Sequence, residues 1–191
     1  FKVTLVSLDM GIWLASASER RSQILNDMFG EIHVEALPDV DETPPFGDVR
    51  TKVLEICKRK ASSVNNESNF DYVIVADTMI EDPEDINLAL GKANDEFEAA
   101  AMLLRLSGRR HLVWSATGIL IAGDWTFFVE SAVVEFTELS QSDIEDLVKS
   151  GSWKNKAGSY DMAGRAKEFV SLVDGNELCV LGFAPSALNL I

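Results

Sequence analysis

The chain has 191 residues, 47% hydrophobic and 25% charged, which is an ordinary globular composition and excludes a disordered or fibrous protein. Its 31 acidic residues against 17 basic ones give a formal charge of −14, which repels polyanions and argues against a polymeric nucleic acid or an anionic membrane as partner. No run approaches the ~20 apolar residues of a membrane span. The partly apolar opening FKVTLVSLDMGIWLA is interrupted by Lys2 and Asp9, and no cleavage-site pattern follows it. Cys57 and Cys179 lie far apart without CxxC spacing and read as buried small hydrophobes. The expectation is a soluble cytoplasmic protein folded as one domain over residues 1–191.

In chain order, residues 11–16 read as a buried strand running into a loop. SERRSQILNDMFG reads as a helix with Ser18 as N-cap, Gly30 as stop, and Ile24, Leu25 and Met28 on its apolar face. A short strand over residues 32–36 leads into ALPDVDETPPFGD, a loop rich in Pro, Asp and Gly and strongly acidic. From Asp48 to about Asn65, Val49, Val53, Ile56, Cys57 and Val64 recur at helical spacing, with Lys60 close to the same side. DYVIVADT reads as a short buried strand that ends on Asp77 and Thr78, at the carboxyl edge where open α/β sheets place their ligands.

NDEFEAAAMLLRLSG follows as a helix capped by Asn94 or Asp95 and stopped at Gly108. HLVWSATGILIA and WTFFVESAVVEF are long β-rich runs joined through Gly123-Asp124 as a hairpin, so the sheet is mixed. LSQSDIEDLVKSG carries a capping box from Ser140 to Asp143 and ends at Gly151. A Gly-containing loop, a strand at EFVSLV and a helix from about Pro185 complete the chain.

SASERR sets Ser16, Ser18, Arg20 and Arg21 where a strand gives way to a helix N-terminus, with its free N–H groups and positive dipole end. The hydroxyls can donate to phosphate oxygens and Arg20 or Arg21 can clamp them, although the same residues also make an ordinary cap with surface arginines. DVDE puts three carboxylates within four residues, a donor set for a hard divalent cation and equally a solvated loop. Asp77, directly after YVIVA, lies at the mouth of the sheet, where burial or a metal has to stabilise it, and it reads equally as a helix or turn cap. Lys60 and Lys92 can each hold phosphate oxygens as point charges, and taken singly each also reads as a surface lysine. His33 and His111 are the only histidines, which leaves little material for a His-based triad, and His111 reads as a residue that orients structure by hydrogen bonding.

Taken together and in order, these segments resemble the Maf family from LASASERR to the last helix. The SxSxRR pattern stands at Ser16, Ser18, Arg20 and Arg21, DxDE at Asp39, Asp41 and Glu42, KA at Lys60-Ala61, and ADT at Ala76-Asp77-Thr78. The GKP motif stands at Gly91-Lys92-Ala93, LSG at Leu106-Ser107-Gly108, HxV at His111-Leu112-Val113, and KAGxY at Lys156 to Tyr160. The resemblance implies an α/β fold of Maf and ITPase-like type, with a mixed twisted sheet, flanking helices and two lobes around a central cleft. It also implies dependence on Mg²⁺ or Mn²⁺, a homodimer, and cleavage of a nucleoside triphosphate between its α and β phosphates to the monophosphate and pyrophosphate.

On that footing Ser16, Ser18, Arg20, Arg21, Lys60 and Lys156 are expected to bind the substrate. Asp77, Glu42 and Lys92 are expected to serve catalysis, with Asp77 activating the water and Glu42 as the alternative base. Glu42, Asp77 and Asp41 are the expected metal ligands. Four places depart from the family pattern. Glu19 and Ala93 stand for prolines, Met162-Ala163-Gly164 for IQG, and Cys179-Val180-Leu181-Gly182 for NVVG. Two alternatives stay open: a regulatory nucleotide-binding protein of the same fold that does not turn over, as in control of cell division, and a metal-dependent phosphatase acting on a monophosphate. The base is open as well, between dTTP or UTP and a modified nucleotide.

Overall fold

In the computed structural model, residues 11–65 and 69–191 are described; most of the apolar opening falls in residues 1–10, outside that range. Among the described residues thirteen elements follow one another: β1 (Ile12–Leu14), α1 (Glu19–Phe29), β2 (His33–Val34), α2 (Val49–Ser62), β3 (Tyr72–Asp82), β4 (Asp85–Leu90), α3 (Glu96–Leu106), β5 (Arg110–Ile121), β6 (Asp124–Phe136), α4 (Gln141–Lys149), β7 (Val170–Asp174), α5 (Glu177–Leu181) and α6 (Pro185–Leu188). The strands form one seven-stranded sheet in the order β2-β1-β3-β5-β6-β7, with β4 added to β3. β1 pairs in parallel with β2 and β3, and the remaining ladders are antiparallel, so the sheet is mixed as expected.

Local chemistry accounts for the helix starts. Ser18, Asp48, Asp95 and Ser140 each accept a hydrogen bond from the backbone N–H three residues on, and Asp143 completes the capping box of α4. Each such cap contributes about 1 kcal/mol. The side chains then sort by face. Val53, Cys57 and Ala61 of α2 pack on Val73, Val75 and Ala116 across one face of the sheet. On the other face, Leu25 of α1 with Phe183 and Leu188 covers Ile12, Leu14, Ile74 and Ala76. A third cluster joins α3 and α4 to Val113, Val134, Phe136, Trp153 and Tyr160. Among the described residues no helix is long and apolar enough to cross a membrane.

Five details differ from the sequence reading. Met28 is 47% exposed, and Phe29 packs on the core in its place. β2 is only two residues long and exposed on both. The hairpin turns at Ala122-Gly123, both with positive φ (50° and 89°), while Asp124 already pairs with Ile121; those angles suit the right-handed twist of the flanking strands. β4 and α5 carry no strong local signal and were not anticipated. The fifth difference matters most for the site: β3 does not stop at Asp77-Thr78 but continues to Asp82. β5 pairs with it residue by residue from Tyr72 to Ile80, so ladder hydrogen bonds carry the polar pair inside the strand.

Candidate active site

β3 is covered unevenly along the edge that faces away from β5. β1 pairs with it only over Tyr72 to Ile74, and Ala15 N makes a last bond to Ile74 O at 2.9 Å before the chain turns into α1. β4 joins the same edge at Ile80. Between these two contacts the edge is open, and Asp77 and Thr78 lie in that gap although they are mid-strand. Consecutive strand residues point to opposite faces, so Asp77 turns toward α2 and Thr78 toward α1. A continuous β1 would have paired the Ala76 carbonyl. Here Lys60 Nζ donates to it at 3.4 Å.

On the α2 face, Lys60 Nζ sits 2.7 Å from Asp77 Oδ1 and 3.1 Å from Glu42 Oε1. Lys60 reaches this point because it lies one turn beyond Ile56 and Cys57, on the buried side of α2. The side chains of Lys60 and Asp77 are 12% and 13% exposed, whereas Glu42 is 57% exposed. Burial pushes the Asp77 carboxyl above its ordinary range; Lys60 and Arg21 oppose that shift and Glu42 adds to it. The Cys57 thiol beneath is pushed up to about 12, chiefly by burial and also by Asp77, so it is no nucleophile here. Ser16, Ala36, Leu37, Glu42 and Lys60 line a cleft of about 270 Å³ beside this group.

Asp41 does not join the other two expected metal ligands. Its carboxylate accepts from Thr43 N at 2.9 Å and lies 3.7 Å from Arg59 Nη1, which also donates to its backbone carbonyl. Neighbours in an extended loop diverge, so Asp41 goes to Arg59 and Glu42 to Lys60. Among the described residues no three His, Cys, Asp or Glu side chains converge as a metal-holding group. Two carboxylates against one ammonium nevertheless leave a negative excess at Glu42 and Asp77. Such a pair fits Mg²⁺, which takes one or two carboxylates and completes its shell with phosphate oxygens and water.

The α1 face is built from cations. Arg21 Nε donates to Gly182 O at 2.9 Å, its Nη2 to Thr78 Oγ1 at 3.0 Å and its Nη1 to Ser16 Oγ at 3.5 Å. Arg20 Nε donates to Leu181 O at 3.0 Å. Both arginines thus cap the C-terminal end of α5, whose last carbonyls have no helical partner. A Cβ at position 182 would lie 2.9 Å from Arg21 Nε and φ there is 122°, so this close approach requires glycine. Burial lowers the pKa of Arg21 and the nearby Asp77 charge raises it. Thr78 Oγ1 in turn lies 2.7 Å from Ser115 Oγ, which donates to Cys179 O.

Ser16 Oγ accepts from Ser18 N and Ser18 Oγ from Arg21 N, which leaves each hydroxyl proton for an anion. Lys156 is paired to Asp161 Oδ2 at 3.3 Å, and Arg20 Nη1 to Asp161 Oδ1 at the same distance. Lys92 is exposed, and a backbone bridge to Ala157 holds it beside this segment. His111 Nε2 lies 2.8 Å from the Tyr160 hydroxyl, and burial lowers the imidazole to about 4, so it is neutral and structural as expected. Asp161 escaped the sequence reading, although a carboxylate directly after Lys-Ala-Gly-Ser-Tyr was a visible signal.

These features define a mixed α/β protein whose open sheet edge offers carboxylates on one face and cations on the other. The chain belongs to the Maf family, since the family model described as Maf-like protein matches residues 11–190. A dTTP/UTP pyrophosphatase of Zymomonas mobilis is 36% identical over 171 residues, 88% of this chain and 83% of that protein. One of Pyrococcus horikoshii is 36% identical over 173 residues, 91% of this chain and 90% of that protein. Among solved structures, a HAM1 protein from Coxiella burnetii aligns over 82% of this chain and 90% of that one, with a TM-score of 0.48 and 13% identity.

Proposed function

We propose that this protein is a nucleoside triphosphate pyrophosphatase that acts on dTTP and UTP, as the names of its relatives say of them. The observation that carries the reading is the division of charge across β3, with Lys60, Asp77 and Glu42 on one face and Arg20, Arg21 and Lys156 on the other. A triphosphate laid over the open edge meets both. Lys60, Arg20 and Lys156 hold its oxygens, while Ser16 and Ser18 donate from the turn into α1. Arg21, already committed to Gly182, Thr78 and Ser16, positions that turn.

Asp77 serves as general base because its buried carboxylate favours taking a proton. It accepts a proton from a water as that water's oxygen bonds the α-phosphorus. The bond from the α-phosphorus to the oxygen bridging it to the β-phosphate then breaks, and pyrophosphate leaves with that oxygen. Glu42, more exposed, is the alternative base. Lys92 stabilises the charge that develops on the leaving pyrophosphate. Mg²⁺ or Mn²⁺ held by Glu42 and Asp77, directly or through water, would supply neutralisation of the phosphate charge, and a water-mediated hold at Asp77 leaves its carboxylate free to take the proton.

The test is Asp77→Asn assayed with dTTP, UTP and Mg²⁺ for both monophosphate and pyrophosphate. A fall of about 10²-fold or more is expected for loss of a general base, and unchanged release removes Asp77 from the reaction. Orthophosphate as the product would instead identify a phosphatase. A nucleotide-binding regulator is the second reading, favoured by Ala163, which supplies no side-chain amide to the cleft. Thermal stabilisation by dTTP without pyrophosphate release would establish it. The same proposal places the protein in the cytoplasm, consistent with two free cysteines, and as a homodimer, which sedimentation would measure.

A further inference from the structure

The geometry points to Asp161 as a built-in anion that occupies the phosphate seat between Arg20 and Lys156 and must be displaced when substrate binds. This inference rests on the pyrophosphatase reading and concerns the same site. Asp161 places one carboxylate oxygen 3.3 Å from Arg20 Nη1 and the other 3.3 Å from Lys156 Nζ, so it spans both cations as a phosphoryl group would. All three side chains are 20–29% exposed, partly withdrawn from water yet open to exchange with a ligand.

A local turn also presents the carboxylate to both cations. Oδ1 accepts from Ala163 N at 3.1 Å, closing that turn, and a Cβ at position 164 would lie 3.3 Å from Asp161 Cβ and Cγ, so Gly164 leaves the side chain room. Arg20 and Lys156, with Thr78 and Tyr160, line a cavity of only about 30 Å³. That holds a water, which needs roughly 10–15 Å³ of such space, and no phosphoryl group. An incoming phosphate therefore takes the cations from Asp161, and the carboxylate reclaims them when pyrophosphate departs. Its role is to weaken product binding and favour release.

Asp161→Asn separates the charge from the turn, because the amide oxygen still accepts from Ala163 N. Inorganic pyrophosphate is the probe, titrated by calorimetry and also measured as a product inhibitor of dTTP turnover. The variant should bind pyrophosphate roughly tenfold more tightly than the wild type, the sum of two part-exposed ion pairs that no longer compete. Its inhibition constant for pyrophosphate should fall by the same factor. Glu84→Gln makes the same change in net charge at a remote group paired to Arg105 and Arg109, and should leave pyrophosphate affinity as in the wild type.

Unchanged or weaker binding by Asp161→Asn overturns the inference, because Asp161 would then merely position Arg20 and Lys156. Equal tightening by Glu84→Gln overturns it too, as a long-range charge effect. Tighter pyrophosphate binding by the variant with no turnover by the wild type supports Asp161 as a competitor and sinks the pyrophosphatase reading. Normal turnover with unchanged binding does the reverse.

Discussion

Asp77 and Thr78 are neighbours in one strand, yet the surroundings they face are built on different principles. On the Asp77 side two carboxylates share one ammonium, most of the group is buried, and α2 holds it rigidly. On the Thr78 side three cations stand against one carboxylate, which pairs with two of them, and backbone carbonyls of residues 181 and 182 fasten Arg20 and Arg21. The first side carries an excess of negative charge suited to a cation and to proton transfer. The second carries an excess of positive charge suited to gripping an anion. The open edge of β3 leaves both faces accessible from one side, which a full-length β1 would close.

Lys60→Met would break this contrast most severely. It leaves Asp77 buried without its cation, and removing one partner of a buried pair costs about 4 kcal/mol. Chemical denaturation should register that loss, together with a fall of at least about 10²-fold in pyrophosphate release. Asp77→Asn should not repeat that loss, because Glu42 still pairs Lys60. A carboxyl whose folded-state pKa is raised weakens the fold as pH rises above the ordinary carboxylate range. The Asn variant should therefore melt no lower than the wild type at pH 7, with the difference shrinking as pH falls toward 4. A lower melting temperature at pH 7 would show that the Lys60 pairing outweighs desolvation.

A smaller effect sharpens the other face, where Tyr160 lines the cavity beside Arg20 and Lys156. Its partner His111 titrates at about 4 when folded, against 6.5 when free. A depressed imidazole gives stability that is complete above pH 6.5 and is lost as pH falls toward 4. That loss amounts to about 3 kcal/mol for a shift of this size. His111→Gln should flatten the melting profile over that interval, and an unchanged profile would show that His111 is not the group responsible. The smallest effect is expected at Asp41→Asn, since its carboxylate belongs to Arg59. Stability should stay within about 0.5 kcal/mol. Turnover should change far less than in Glu42→Gln, and a comparable loss in both would return Asp41 to the cation-binding group.

How much of this was legible in the sequence depends on the range of the interactions. Ser18, Asp48, Asp95 and Ser140 act on the N–H three residues on, so the helix starts could be read from the order of residues. The burial of Val53, Ile56 and Cys57 follows from helical spacing, and that spacing also places Lys60. The ordered set of short segments from Ser16 to Tyr160 was enough to point to the family. Each of these signals is local or purely serial, and the chain by itself determines it.

Tertiary structure decided what depends on partners distant in sequence. β5, some 40 residues away, extends β3 through Asp77 and Thr78, and the early departure of β1 opens the edge beside them. Asp41 and Glu42 are adjacent in the chain, but Arg59 and Lys60 draw them apart. Arg20 finds Asp161 across 141 positions, and Arg21 finds Gly182 across 161. Closing loops of that length is a matter of packing the whole sheet, and no local pattern encodes it. The sequence therefore carried the inventory of charges, while the fold set which of them oppose one another across β3.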